Sequence, residues 1–396
     1  MVLVLAFACL AMAAMSLLVL RVRPLRPLPA VQARLEVAGV VCMQSVAVVI
    51  PARNEERSLP LLLADIRAQT SVPGQIIVVD DESDDRTDEL ARRGGAAVVP
   101  VPSRLPGWNP KVWALTVGAD HAVAQTLVFL DADVRLDPAA LAALVADVTR
   151  VGGLVSVAPK HSTRTAVEGL SALCNVIAVA GGGPGLQRQS RGAVGSCIAI
   201  ARADYQRIGG HAGTPGTIVD DLDLAAAAAR HGLPVTLRRG AMLVTMRSYP
   251  NGLGALVGGW SKNLAAGAAR TPPAVALAVG TWIALIVLPI PLLLAHQWGT
   301  AAVLWAVVSL HAAWLTHRVG RFNRFVVSVA VPLVAVFTTV LTLRSFALAI
   351  SGRTVVWKGR RLRPDGVEQP GVEQPRVEQL RVEQPRPSTP QQRRSA

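Results

Sequence analysis

Apolar positions fall in three regimes along the chain. Residues 2–20 form an almost unbroken apolar run, long enough to cross a bilayer as one helix. From residue 45 to about 245, short β-branched runs alternate with stretches of helical periodicity. Segments 46–50, 75–79, 96–100 and 126–130 read as strands, and 56–69, 84–93 and 111–124 as helices. The alternation predicts an α/β fold with a mostly parallel sheet and helices on both faces. From residue 274 the chain turns apolar again. Segments 274–295 and 299–316 read as membrane spans, and 326–350 as a third candidate interrupted by Pro332 and Arg344. The predicted organisation is therefore an anchor at 1–20, a globular domain at 45–265 and a membrane region of two or three segments at 274–350. A low-complexity tail at 366–396, with a recurring Val-Glu-Gln unit, is poor in aromatics and is expected to be disordered.

Charge sharpens this layout. Arg21, Arg23 and Arg26 follow the first run, which predicts a multi-pass protein of the plasma membrane with its globular domain in the cytosol. A cleaved signal peptide would need a basic start and an A-x-A-like site following the apolar run, and neither is present. Arg318, Arg321 and Arg324 place the connector 317–324 on the cytosolic side. A full third span would put the tail outside; a re-entrant segment would keep it inside. The net charge is +14 over 396 residues. The basic residues crowd beside apolar segments and in the tail, and no helix-turn-helix, zinc-finger or RNP pattern occurs. Anionic lipid headgroups are the expected partner, not nucleic acid. Hydrophobic residues make up 51% of the chain, too many for an ordinary soluble enzyme. The four cysteines form no C-x-x-C pair, so neither a zinc site nor a disulfide framework is expected.

Polar motifs emerge at the carboxyl ends of the predicted strands, where ligands sit in open α/β sheets. Val48-Val49-Ile50-Pro51-Ala52-Arg53-Asn54-Glu55 runs from a strand into a turn whose amides can meet an anion or a base. Val78-Val79-Asp80-Asp81 delivers a carboxylate able to accept hydrogen bonds from a ribose or base, while Asp84 and Asp85 read as helix-capping acids. Leu130-Asp131-Ala132-Asp133 sets two carboxylates one residue apart, suited to a hard cation and a diphosphate. Asp220-Asp221-Leu222-Asp223 opens an Ala-rich helix. Acids there favour the helix dipole, but three in four residues exceed that need and offer a general base. A glycine-rich run at 181–185 reads as a turn, with a loop over the site as the alternative.

In this order the four motifs resemble the family 2 glycosyltransferases. A narrower similarity is carried by Pro106-Gly107-Trp108-Asn109-Pro110-Lys111, Gly259-Trp260-Ser261-Lys262-Asn263 and Val356-Trp357-Lys358-Gly359-Arg360. These look like the membrane-bound branch that includes carotenoid-acid (diaponeurosporenoate) glycosyltransferases. The resemblance implies a GT-A fold and an inverting transfer from a nucleotide-sugar, commonly a UDP-sugar, dependent on Mg2+ or Mn2+. It implies that Pro51, Arg53 and Glu55 line the nucleotide pocket, that Asp80 meets the uracil or ribose, and that Lys111 lies near the diphosphate. Asp131 and Asp133 would serve nucleotide and metal, with Asp133 the direct ligand. Asp221 matches the usual base; Asp220 stands where Glu is commoner, so the choice between the two acids stays open. Trp260 would stack on the acceptor or anchor at the membrane interface. The acceptor is expected to be lipid-like, a carotenoid or another isoprenoid. The Gln-x-x-Arg-Trp of processive members is absent. A processive polysaccharide synthase and a non-catalytic membrane protein with a nucleotide-binding domain are the alternatives.

Overall fold

A computed structural model describes residues 2–27, 43–185, 187, 189–217, 219–247, 249–351, 355–357 and 360–362. The tail at 366–396 and Lys358-Gly359 of the third narrower motif lie outside the described residues.

The strands are β1 (Val46–Ala52), β2 (Gln75–Asp80), β3 (Ala97–Pro100), β4 (Thr126–Leu130), β5 (Val134–Leu136), β6 (Leu154–Ala158), β7 (Lys160–Ser162), β8 (Cys197–Ala201), β9 (Val235–Arg239), β10 (Val244–Arg247) and β11 (Gly320–Arg321). The main sheet has the order β3-β2-β1-β4-β8-β6-β9. All neighbours are parallel except at β8, which runs against both β4 and β6. The four predicted strands are all present and sit together on one side of β8.

Alternation along β1 explains the two layers around this sheet. Val46, Val48 and Ile50 enter one core, where they meet Leu62, Ile66 and Leu141. Ala47 and Val49 enter the other, with Leu115, Phe129 and Leu224. Successive strand residues face opposite sides, so a strand buried on both faces must be apolar throughout. Each such Val, Leu or Ile contributes about 1.5–3 kcal/mol on full burial. Helix Pro110–His121 lies against β1 so closely that a Cβ at Gly118 would stand 2.4 Å from Val49 Cγ1.

A second sheet of order β11-β7-β10-β5 lies at the open end of the first. It links the globular domain to the apolar helices, because β11 directly follows helix Trp298–Val319. Among the described residues, three helices are long and apolar enough to cross a membrane: Pro273–Leu294, Trp298–Val319 and Val331–Leu348. Pro332 does not interrupt the last; it sits in the first turn, where its missing N–H costs nothing. Helix Val2–Arg21 packs Met15 and Val19 into the same apolar cluster as Trp282, Val308 and Leu315. The glycines at 181–185 end helix Ala172–Gly182, and Gly185 takes a φ of +54°.

Arg239 joins these parts. It is 9% exposed at the end of β9. Its Nε donates to Val22 O just past the first helix at 2.7 Å, and its Nη1 to Arg318 O near the end of Trp298–Val319 at 3.2 Å. One guanidinium thereby satisfies carbonyls at two helix ends, where intrahelical partners run out.

Candidate active site

The strand ends converge on one cavity of about 1950 Å3. Pro51, Arg53, Glu55, Lys111, Asp131, Asp133, Asp220, Asp221 and Trp260 all line it. Asp80 is not in its wall; Asp81 is. The turn after β2 explains the difference. Asp80 Oδ1 accepts the Ser83 hydroxyl at 2.5 Å, so its carboxylate serves the turn. Asp85, rather than Asp84, accepts the N–H of Thr87 at the start of helix Thr87–Arg93.

Arg53 spans the first two motifs. Its Nη1 donates to Asp81 O at 2.8 Å, and Glu82 and Asp84 lie 3.7 and 4.0 Å from the guanidinium. Its Nε is buried without a hydrogen-bond partner among the described residues. A buried donor without a partner is costly, and here it lies beside the cavity.

Lys111 stands at the start of helix Pro110–His121. Asn109 caps that helix, its Oδ1 accepting the Lys111 N–H at 2.9 Å, and Pro110 fills the first helical position. A cation at a helix N-terminus opposes the dipole, so it needs acids nearby. Lys111 Nζ is 2.9 Å from Asp131 and 3.7 Å from Asp220. Burial acts to lower this ammonium, but Asp131, Asp220 and Asp221 outweigh it and hold the group above its ordinary value.

The neighbouring acids at 220 and 221 are thereby made unequal. Burial raises both. For Asp220 the Lys111 charge prevails and the carboxyl is held below its ordinary value. For Asp221 burial is reinforced by the Asp220 charge, and the carboxyl is pushed up to about 6. Asp221 is fixed by two backbone donors, Gly195 N–H at 2.8 Å and Leu222 N–H at 2.9 Å. A Cβ at Gly195 would sit 3.3 Å from Asp221 Cβ and 3.4 Å from Lys111 Nζ. A side chain there would press on both groups, which would have to give by a few tenths of an ångström.

The donor set fits a divalent cation. Asp131 and Asp133 flank the turn between β4 and β5, and both line the cavity. Among the described residues no group of three acidic, His or Cys side chains forms a metal cage. Asp131 and Asp133 would supply hard oxygen ligands and leave positions open for diphosphate oxygens. Mg2+ and Mn2+ suit such a shared site.

The far end of the cavity is different. Ile283, Ala284, Val287, Leu343 and Phe346 line it, all from membrane-length helices. Trp260, 8% exposed, also lines the cavity, with its ring 6.3 Å from Tyr249 and its indole N–H without a hydrogen-bond partner among the described residues. Gly195 and Lys262 are cavity residues to which the sequence reading assigned no role. Lys262 lay within a quoted motif; Gly195 had no motif to mark it.

Residues 47–170 match the model of glycosyl transferase family 2. The 4,4'-diaponeurosporenoate glycosyltransferase of Staphylococcus haemolyticus is 37% identical over 249 residues, covering 61% of this chain and 66% of that protein. The protein of the same name from Staphylococcus aureus is 32% identical over 332 residues, covering 80% of this chain and 88% of that protein. Among solved structures, a mannosyltransferase from Pyrobaculum calidifontis in complex with GDP-Man and Mn2+ aligns with a TM-score of 0.50 at 18% identity, over 88% of this chain and 98% of that one. That likeness establishes the GT-A-like α/β fold. The relatives are named as transferases, and the alternative of a non-catalytic binding protein falls away. The chain is a glycosyltransferase and belongs to family 2.

Proposed function

We propose that this enzyme moves a sugar from a nucleotide-sugar, a UDP-sugar by preference, to a carotenoid acid or a similar isoprenoid acid, with inversion at the anomeric carbon. The carrying observation is the single cavity that runs from the acid cluster to apolar membrane-length helices. A polar sugar donor and a long apolar acceptor could meet only in a space of that kind. The names of the relatives, both diaponeurosporenoate glycosyltransferases, support the acceptor class. The GDP-Man and Mn2+ of the archaeal complex support the donor and metal classes.

In the proposed mechanism Pro51, Arg53 and Glu55 hold the nucleoside, with the unpaired Arg53 Nε available to a base or ribose oxygen. Lys111 faces the diphosphate. Asp133, with Asp131, would hold Mg2+ or Mn2+, which would offset the charge of the departing diphosphate. Asp221 takes the acceptor's proton as the acceptor oxygen attacks the anomeric carbon. Asp220, kept ionised by Lys111, holds the Asp221 carboxyl basic enough for that task. Helix Val2–Arg21 and the three C-terminal helices anchor the protein in the plasma membrane, with the catalytic domain in the cytosol, consistent with Arg21, Arg23, Arg318 and Arg321 at their ends.

Lipid profiling of a deletion strain tests the reading. Loss of one glycosylated isoprenoid acid, restored by wild type and not by Asp221→Asn, is expected. Polymer made by the purified protein would instead support a processive synthase, and an unchanged lipid profile would remove the proposed acceptor.

A further inference from the structure

Four cations crowd the junction between the two sheets and the membrane-length helices. Arg239 ends β9 and Lys160 opens β7. Arg318 lies in the last turn of helix Trp298–Val319, and Arg321 ends β11. Lys160, Arg239 and Arg318 line one small cleft. Arg321 is aligned with Ser162 across the parallel pairing of β11 and β7. Lys160 and Ser162 are two residues apart and face the same side of β7, so Arg321 shares that face with Lys160.

Acids do not hold these cations. Arg239 is 9% exposed and donates to two backbone carbonyls, Val22 O and Arg318 O. The Arg318 guanidinium lies 4.8 Å from the centre of the Trp314 ring, and Arg321 reaches the Met242 sulfur at 3.5 Å. Neighbouring arginines show the contrast. Arg238 is held by Asp147, and Arg247, aligned with Ser162 on the other side of β7, by Glu168, each at 2.6 Å. Among the described residues no carboxylate is paired with any of the four. Like charges repel, and more strongly out of water. Burial and the Arg321 and Arg239 charges hold the Lys160 ammonium below its ordinary value, and burial and Arg318 do the same to Arg239. The helix dipole favours Arg318 where it stands. It does not account for Lys160 and Arg239, which come from strands.

Position selects the anion that would relieve this repulsion. The carbonyls that Arg239 holds belong to the ends of two apolar helices, Val2–Arg21 and Trp298–Val319. Trp314, one turn before Arg318, and Phe325, just beyond Arg321, are exposed, as aromatic side chains at the headgroup level of a bilayer are. The cleft has a volume of about 10 Å3, room for about one water. A phosphate therefore lies at its mouth, gripped from one side, and acyl chains along the helices must supply the remaining contact. Basic pockets at the ends of spanning helices hold lipid headgroups in this manner.

We propose that Lys160, Arg239, Arg318 and Arg321 bind the phosphate of one anionic phospholipid, whose acyl chains lie along helix Trp298–Val319. The proposal rests on the membrane reading of the helices and is independent of the sugar acceptor. The lipid neutralises cations from both sheets and from the helix end, and so fastens the globular domain to the helices.

The test is native mass spectrometry of the full-length protein in mild detergent, titrated with phosphatidylglycerol and with phosphatidylcholine. Wild type should bind one phosphatidylglycerol at least about tenfold more tightly than phosphatidylcholine. Lys160→Gln combined with Arg321→Gln should weaken phosphatidylglycerol about fivefold for each cation removed. Phosphatidylcholine binding and donor hydrolysis should stay within about twofold of wild type. Arg21→Gln combined with Arg26→Gln removes the same charge outside the cluster and should weaken phosphatidylglycerol by less than about twofold. Equal losses in the two double variants would mean a diffuse basic surface and overturn the proposal. Equal binding of the two lipids by wild type would also overturn it, and that result needs no variant to fold. Displacement of phosphatidylglycerol by an equal concentration of inorganic phosphate would assign the cluster to a free anion and sink the lipid. Retention of neither lipid would defeat the membrane reading and the proposal with it.

Discussion

The two ends of the cavity are built on different principles. The proposed donor end is made of charged side chains at strand ends, and several are held by a named partner: Arg53 by Asp81 O, Lys111 by Asp131, Asp221 by Gly195 N–H. The proposed acceptor end is made mostly of apolar and small side chains on long helices, with Trp260 beside it. Charged groups must be positioned to within a fraction of an ångström to act on a developing charge. An apolar wall needs only the right volume and shape. The donor end should therefore fail abruptly under single isosteric changes, and the acceptor end gradually under changes in volume.

The sharpest break is expected from Asp221→Asn. Removing the base while keeping its size should lower turnover by about 10²–10⁴, with donor binding retained in a nucleotide-binding assay. Full turnover in this variant would move the base elsewhere. Next in size is the cation. Chelation of divalent metal, or Asp133→Ala, should lower transfer by on the order of a hundredfold, and added Mn2+ should rescue the chelated wild type but not the variant. At the other end, Gly280→Phe addresses volume alone. Gly280 lines the cavity on helix Pro273–Val287, and a Cβ there meets nothing within 4 Å. The new ring should reduce transfer to a long acceptor by about tenfold or more and leave donor hydrolysis unchanged. Equal loss of hydrolysis would mean that the two ends are not separable.

A pH profile gives the mildest test. The Asp221 carboxyl must be ionised to act, and its folded-state value is about 6 rather than the usual 3.8. Activity should therefore be about half-maximal near pH 6, approach its full value about one pH unit above, and fall toward tenfold per pH unit below. The sign for stability is opposite. A raised value means that the contribution of this carboxyl is present below its unfolded value and lost as pH rises through about 6. A profile with no acid limb near pH 6 would separate the raised carboxyl from catalysis.

Much of the donor end was legible because its motifs are local. An apolar strand followed by acids needs no distant partner to be recognised, and Asp131, Asp133, Asp220 and Asp221 all reach the cavity as read. Asp80 shows the limit of such reading. Its place at the end of β2 was right, but the turn through Ser83 gave the cavity wall to Asp81. The helices began later than their polar patterns implied, at Leu59 and Thr87, because the residues before them are engaged in turns that tie the first two motifs together: Asn54 accepts from Asp84 N–H, and Glu55 N–H donates to Thr87. The second sheet was not anticipated. Its strands are two to four residues long, too short for periodicity, and the pairing of Gly320 with His161 spans the membrane-length helix.

By itself the sequence determined the α/β domain followed by apolar helices, the four central strands and the acids at their ends. Each of these depends on spacing within a dozen residues or on a run of one character. Only the tertiary structure made the two neighbouring acids unequal. Asp220 and Asp221 are equivalent as letters, and the difference arises from Lys111, about a hundred residues upstream, facing one more closely than the other. It also decided that the acid cluster and the apolar helices share one cavity, since that depends on where helix Leu253–Ala269 lies. Local pattern follows from the chemistry of adjacent residues; charge balance and cavity shape follow from which distant residues meet.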